Sequence, residues 1–177
     1  GLTFLVEIAA ILFVEVMGGK SNQWLYNLFV PVEFICYGYF YLNIVTTRWI
    51  RKFILFLMIV FPVAGLASTI VVFKFYDWNS YQAIGEALFT IFFAVSYYYE
   101  LYVSPETFKL KNKPEFWIAT GMIIFYSYAL PFLGTINYLD KVSHSLASTL
   151  LDVFDYVDIL MYLIFCYAFL CRIITRK

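Results

Sequence analysis

The sequence predicts an all-α fold, a polytopic transmembrane helical bundle that forms a single domain over residues 1–177. Two observations carry this reading. Of 177 residues, 63% are hydrophobic and only 14% charged, with a mean hydropathy of +0.81, outside the range of a soluble domain. The apolar residues are also gathered into six runs that reach or approach the roughly 20 residues needed to cross a hydrocarbon core about 30 Å thick.

The six spans run from Leu2 to Met17, Trp24 to Val45, Phe53 to Phe73, Ala83 to Val103, Phe116 to Ile136, and Leu146 to Leu170. The first is short, and no basic stretch precedes it, so it does not read as a secretory signal. A start on Gly1 rather than Met, directly in apolar sequence, leads us to expect further residues before it. Pro31, Pro62 and Pro131 interrupt the second, third and fifth spans as kinks, with gating hinges as the alternative. In the third, Ala64 with Ser68 and Gly65 with Thr69 place small residues one turn apart, which suits close helix packing. The fourth ends in "SYYYELY", whose Tyr97, Tyr98, Tyr99 and Tyr102 read as an interfacial aromatic belt, or else as a quinone or lipid site. Connections of roughly six to thirteen residues leave no room for a soluble catalytic domain between spans. The longest, "SPETFKLKNKPE", reads as a basic loop near anionic lipid or as a docking point for a cytoplasmic partner.

Basic residues set the orientation. Arg48, Arg51, Lys52, Lys109, Lys111, Lys113, Arg172, Arg176 and Lys177 fall on one side, and only Lys20, Lys74 and Lys141 on the other. The positive-inside rule then places the C-terminus in the cytoplasm. Trp24 and Trp78 at the outer boundaries, and Trp49 and Trp117 at the inner ones, fit the same arrangement. The net charge of zero is uninformative about nucleic acid, and none is expected as a partner.

Several chemistries are excluded by composition. One histidine, His144, cannot supply bis-histidine haem ligation, and no lysine lies deep in a span to form a Schiff base. Phosphate-loop, nucleophile-elbow and paired-histidine motifs are missing from the sequence. Cys36, Cys166 and Cys171 lie within spans or at their ends and read as packing residues. No enzymatic activity and no cofactor are expected.

The distinctive feature is acid within the spans: Glu7, Glu15, Glu33, Glu86, Asp152, Asp155 and Asp158, with Glu100 near an inner end. An ionised carboxylate at a helix centre costs roughly 2.5 to 3.5 kcal/mol on insertion scales, so such groups face the bundle or a cavity, or hold protons. At about 100° per residue, Asp152, Asp155 and Asp158 share one face of the last span. Two readings follow: an outward-open polar cavity of these acids with His144, binding a cation or relaying protons, or carboxyls acting as polar glue between helices. His144 reads as an interfacial polar residue, with a metal or pH-sensing role as the alternative.

"NQWLYNLFVPVEFICYGYFY" (22–41), "SYYYELYVSP" (96–105), "KPEFWIATGMIIFYSYALP" (113–131) and the later "SHSL" and "ILMYLIFCYAFLCR" together resemble a family of small multi-pass membrane proteins of Bacteroidota. Genes of that family often lie near sensor histidine kinases. The resemblance implies about seven spans, hence one more at the N-terminus, and implies sensing or signalling through a membrane partner, a histidine kinase or a larger complex. It carries over no catalytic residue. It leads to the expectation of Asn or a neutral residue where this chain has Asp155 and Asp158, so an acid-dependent function is not implied for the family. Besides signalling, two further functions stay open: a cation- or proton-coupled transport module, and an accessory subunit of a larger inner-membrane complex. Membrane lipid is a partner in all three.

Overall fold

The computed structural model describes residues 6, 8–10, 12, 13, 23–71, 79–103, 110 and 112–175, and the features below refer to these. Five helices are bounded in it: α1 (Gln23–Ile44), α2 (Arg48–Val71), α3 (Ser80–Val103), α4 (Pro114–Val142) and α5 (His144–Thr175). Val6 and residues 8–10 are helical as well. Among the described residues there is no strand. Three stretches, Arg48–Val71, Pro114–Thr135 and Ser145–Cys171, are long and apolar enough to cross a membrane. The helices α1 and α3 carry more tyrosine, amide and acid side chains than these three.

The more polar helices are also the inner ones. Among the principal contacts, α1 packs on both α2 and α3, α3 packs on α4, and α4 packs on α5. Between α1, α2 and α3 lies an aromatic core in which Phe34 and Phe93 are fully buried. The Phe34 ring sits 4.3 Å from Phe61 and 5.7 Å from Phe93, centroid to centroid, and such pairs add about 0.5–1.5 kcal/mol each beyond their buried area. Close approach needs glycine at Gly85, where an added Cβ would lie 2.8 Å from Cε2 of Phe61. On the far side, Phe154 of α5 packs against Phe125 and Phe132 of α4 at 5.3 and 4.9 Å.

Each end of the α1–α2–α3 unit is held by side chains that satisfy backbone groups. At one end Asn79 caps α3, accepting Gln82 N–H on Oδ1 at 3.1 Å, while its own N–H donates to Asn27 Oδ1 at 3.1 Å. Its Nδ2 donates to the Ser68 and Thr69 hydroxyls of α2 at 2.7 and 2.9 Å. Pro31 explains the next contact. Lacking an N–H, it leaves the carbonyl of Asn27 one turn earlier without its helical donor, and Gln82 Nε2 supplies one at 3.2 Å. Asn27, Asn79, Gln82 and Thr69 are all buried. At the opposite end the carboxylate of Glu100 accepts Thr46 N–H and Thr47 N–H, each at 2.8 Å, and so caps α2 from α3. Arg51 reaches back to the carbonyl of Val45 at 2.9 Å, closing the end of α1.

The helices α1, α2 and α4 run on through Pro31, Pro62 and Pro131. The structure departs from the sequence reading in several places. Arg48, Trp49, Arg51 and Lys52, read as a connection, open α2, because Glu100 and Thr47 cap it earlier than hydropathy indicates. The last connection shrinks to Ser143. Its N–H closes α4 on Leu139 O at 2.8 Å and its Oγ caps α5 at Leu146 N, 3.3 Å away. At 29 and 32 residues, α4 and α5 are therefore about 44 and 48 Å long, more than a hydrocarbon core requires. Cys36 and Cys166, read as packing residues, are exposed, and Cys171 is buried. Tyr97 is likewise core rather than belt, whereas Tyr99 and Tyr102 are exposed.

Two substitutions test the clamps. Asn27→Ala leaves the buried Asn79 N–H without an acceptor, so we expect a loss of about 1–3 kcal/mol in unfolding titrations of the purified protein. Asn43→Ala, at an exposed amide that bonds only within its own helix at Tyr39 O, should stay within about 0.5 kcal/mol of the parent. Equal effects at the two positions would contradict the role given to Asn27. Glu100→Ala should cost about 1 kcal/mol or more by uncapping α2, and an unchanged unfolding midpoint would remove that clamp from the account.

Candidate functional site

Between the two clamps, one to two turns inside the Asn27–Asn79 end, α1, α3 and α4 bring four titratable side chains together. Glu33 and Tyr37 lie one turn apart on α1, and the Tyr37 hydroxyl donates to Glu33 Oε1 at 2.5 Å. Tyr126 of α4 meets Tyr37 edge to face, with ring centroids 6.0 Å apart. Glu86 of α3 interacts electrostatically with Glu33 and with both tyrosines. It is 4% exposed, and its Oε1 has no hydrogen-bond partner. Thr90, one turn further along α3, is fully buried with an unpartnered Oγ1. Polar interiors in folded proteins rarely leave such atoms unsatisfied, so two within one turn of a helix mark this place.

The candidate acids therefore separate by position. Glu33 and Glu86 are brought together; Asp152 and Asp155 are exposed on α5, and Asp158 is half-buried there. Phe154 is the face that α5 turns to α4, and Asp155 and Tyr156, next along the helix, turn outward, Tyr156 at 70% exposure. Glu7 and Glu15 lie outside the described residues, and so does the side chain of His144, whose backbone opens α5. Among the described residues no three His, Cys, Asp or Glu side chains are grouped to hold a metal ion.

Tyr37, Tyr126 and Thr90 were not singled out in the sequence. A signal for two of them was present: Glu33 with Tyr37, and Glu86 with Thr90, are each four apart and hence on one helix face. Tyr126 carried no such signal, because it joins the site only through the packing of α4 on α3.

A pocket of about 390 Å³ lies at the Glu100 end, lined by Ile44, Thr46, Tyr97, Glu100, Leu101, Lys113 and Glu115. Its carboxylate at Glu100 is already committed to the amides of Thr46 and Thr47. Tyr98 closes the neighbouring α3–α4 contact, its hydroxyl 2.6 Å from that of Thr120. Arg48, Arg51, Lys52 and Lys113 all belong to this end, so the bundle collects basic residues opposite the Asn27–Asn79 clamp. No family model, characterised protein or solved structure matches the chain.

Proposed function

We propose that the chain is a non-enzymatic component of a bacterial inner membrane, crossing it six times with its C-terminus in the cytoplasm. In this reading it senses or signals through a membrane partner seated on α5. One observation carries it: Asp152 and Asp155 are exposed on a helix whose span is only 11% buried. Facing hydrocarbon, each aspartate would cost roughly 2.5 to 3.5 kcal/mol near the helix centre. A partner helix that presents Lys, Arg or strong hydrogen-bond donors at that depth removes the cost. A second copy of α5 does not, because the helix holds no Lys or Arg before Arg172, its His144 lies at the very start, and the aspartates would face each other. The sensor kinase association implied by the family resemblance belongs to the same proposal. The basic end formed by Arg48, Arg51, Lys52 and Lys113 supports the orientation.

A photo-crosslinking amino acid at Tyr156 of α5, compared with one at the equally exposed Ile59 of α2, tests the partner. Tyr156 should trap one defined membrane protein, with lower yield after Asp155→Leu, and Ile59 should trap lipid. Lipid alone at both positions, or a second copy of the chain at Tyr156, would reject the reading. The orientation has its own test: a reporter that is active only in the periplasm should be silent when fused after Lys177.

A further inference from the structure

The buried acids of α1 and α3 form a second feature, independent of what docks on α5. Among the described residues no Lys or Arg acts on Glu86. From α1 the titratable groups turned toward Glu86 are Glu33 and Tyr37, and from α4 Tyr126. The side chain that α2 presents beside it is Phe61, in contact with the neighbouring Gly85. The nearest basic residue of α2, Lys52, is nine positions before Phe61, or about 14 Å along the helix. Within α3 the only other charged residue is Glu100, fourteen positions and about 21 Å away, and it is occupied at the cap.

The two carboxyls are also inequivalent. Glu33 receives a short hydrogen bond from Tyr37, whose ring packs edge to face on Tyr126, so a donor is directed at Glu33. Glu86 Oε1 receives none and is sealed from solvent. An ionised oxygen in that position would be buried with no protein donor, whereas a neutral carboxylic acid avoids the charge-burial penalty. Two adjacent carboxylates in a low-dielectric interior also resist double ionisation.

We propose that Glu33 and Glu86 form a proton-binding site in which the pair carries one negative charge, on Glu33, and one proton, on Glu86. The ligand is a hydron, exchanged with solvent when the α1–α3–α4 packing opens; no covalent bond to any other group is made or broken. A metal cation fits less well, because the hydroxyl hydrogen of Tyr37 is directed at the carboxylate oxygen that such an ion would need. Holding the proton removes a buried charge from α3 beside Glu33, one turn inside the Gln82 contact.

The test uses the full chain in lipid nanodiscs. Infrared spectra at neutral pH should show the carbonyl stretch of a protonated carboxyl in apolar surroundings. The band should shift on labelling with ¹³C-glutamate, vanish in Glu86→Gln and persist in Glu33→Gln. A parent without the band, or a band unmoved by the glutamate label, overturns the proposal without recourse to any variant. Thermodynamic linkage supplies a second reading. Above about pH 5 an unfolded glutamate has lost its proton, so a folded chain that keeps one binds more protons than the unfolded chain. Stability must then fall as pH rises, with the unfolding constant increasing about tenfold per pH unit while the folded state keeps the proton. Glu86→Gln should remove that tenfold slope. A slope unchanged in the variant, or stabilisation of the parent by sodium or potassium that depends on Glu86, would refute proton binding there.

Discussion

The constraint on which this structure depends is that every polar group placed inside an apolar bundle must find its partner within the protein. The Asn27–Asn79–Gln82 clamp answers it most completely. Asn27 uses its side-chain oxygen for the cap of α3 and its carbonyl for Gln82, and the second contact exists only because Pro31 has no hydrogen to give that carbonyl. A helix-breaking residue is thereby turned into an interhelical bond. The Glu100 clamp applies the same logic in reverse, with a side chain from α3 supplying the cap that the start of α2 lacks. With both ends fixed, the spacing of α1, α2 and α3 is set, and the ring of Phe34 can be buried completely between them.

Against that background the exceptions carry the functional argument. Glu86 and Thr90 sit on the most enclosed helix and keep unpartnered oxygens, although amides a turn or two away are fully bonded. Asp152 and Asp155 break the rule from the other side, as charges on the outer surface of an apolar helix. The first pair asks for a neutralising group small enough to enter a packed interior. The second asks for one large enough to cover a helix face. In the readings proposed above, a proton on Glu86 answers the first demand and a partner helix the second, and neither substitutes for the other.

Much of the architecture was legible because hydrophobic run length reports directly on helix position. All five bounded helices start or end within about three residues of the expected spans at one end or both, as α1 does at Gln23–Ile44. The errors share a cause. Arg48 to Lys52 and the residues around Ser143 are polar enough to read as connections, yet caps supplied by Glu100 and Ser143 make them helical, and capping partners far away in sequence are invisible to a hydropathy window. The site was legible only in part. Acids in apolar runs are conspicuous, and four-residue spacing tied Tyr37 to Glu33, but which helix faces inward is a property of the packing. Sequence periodicity placed Asp152, Asp155 and Asp158 on one face of the last helix; it held no information on whether that face turned toward α4 or away from it.

The helix between the two features is α4, and two consecutive residues divide its faces. Tyr126 belongs to the buried network with Tyr37, Glu33 and Glu86, while Phe125, its ring 5.0 Å away, packs on Phe154 of α5. Phe154 in turn is flanked in sequence by Val153 and Asp155, both exposed. The acid–tyrosine site and the outer face of α5 are thus joined by one continuous packed path, three aromatic rings long. Adjacency of this kind does not by itself make a coupling, which needs an element with two arrangements that both sites bias. The packing identifies α4 as the element in position to do so. Side chains hold it along its length: Tyr98 of α3 at Thr120, Tyr41 of α1 at Met122 Sδ, and its own Tyr128 on the carbonyl of Leu150 in α5. A change in charge at Glu86 would meet Tyr126 first, and would reach Phe154 only through Phe125 and the packing of α4 on α5.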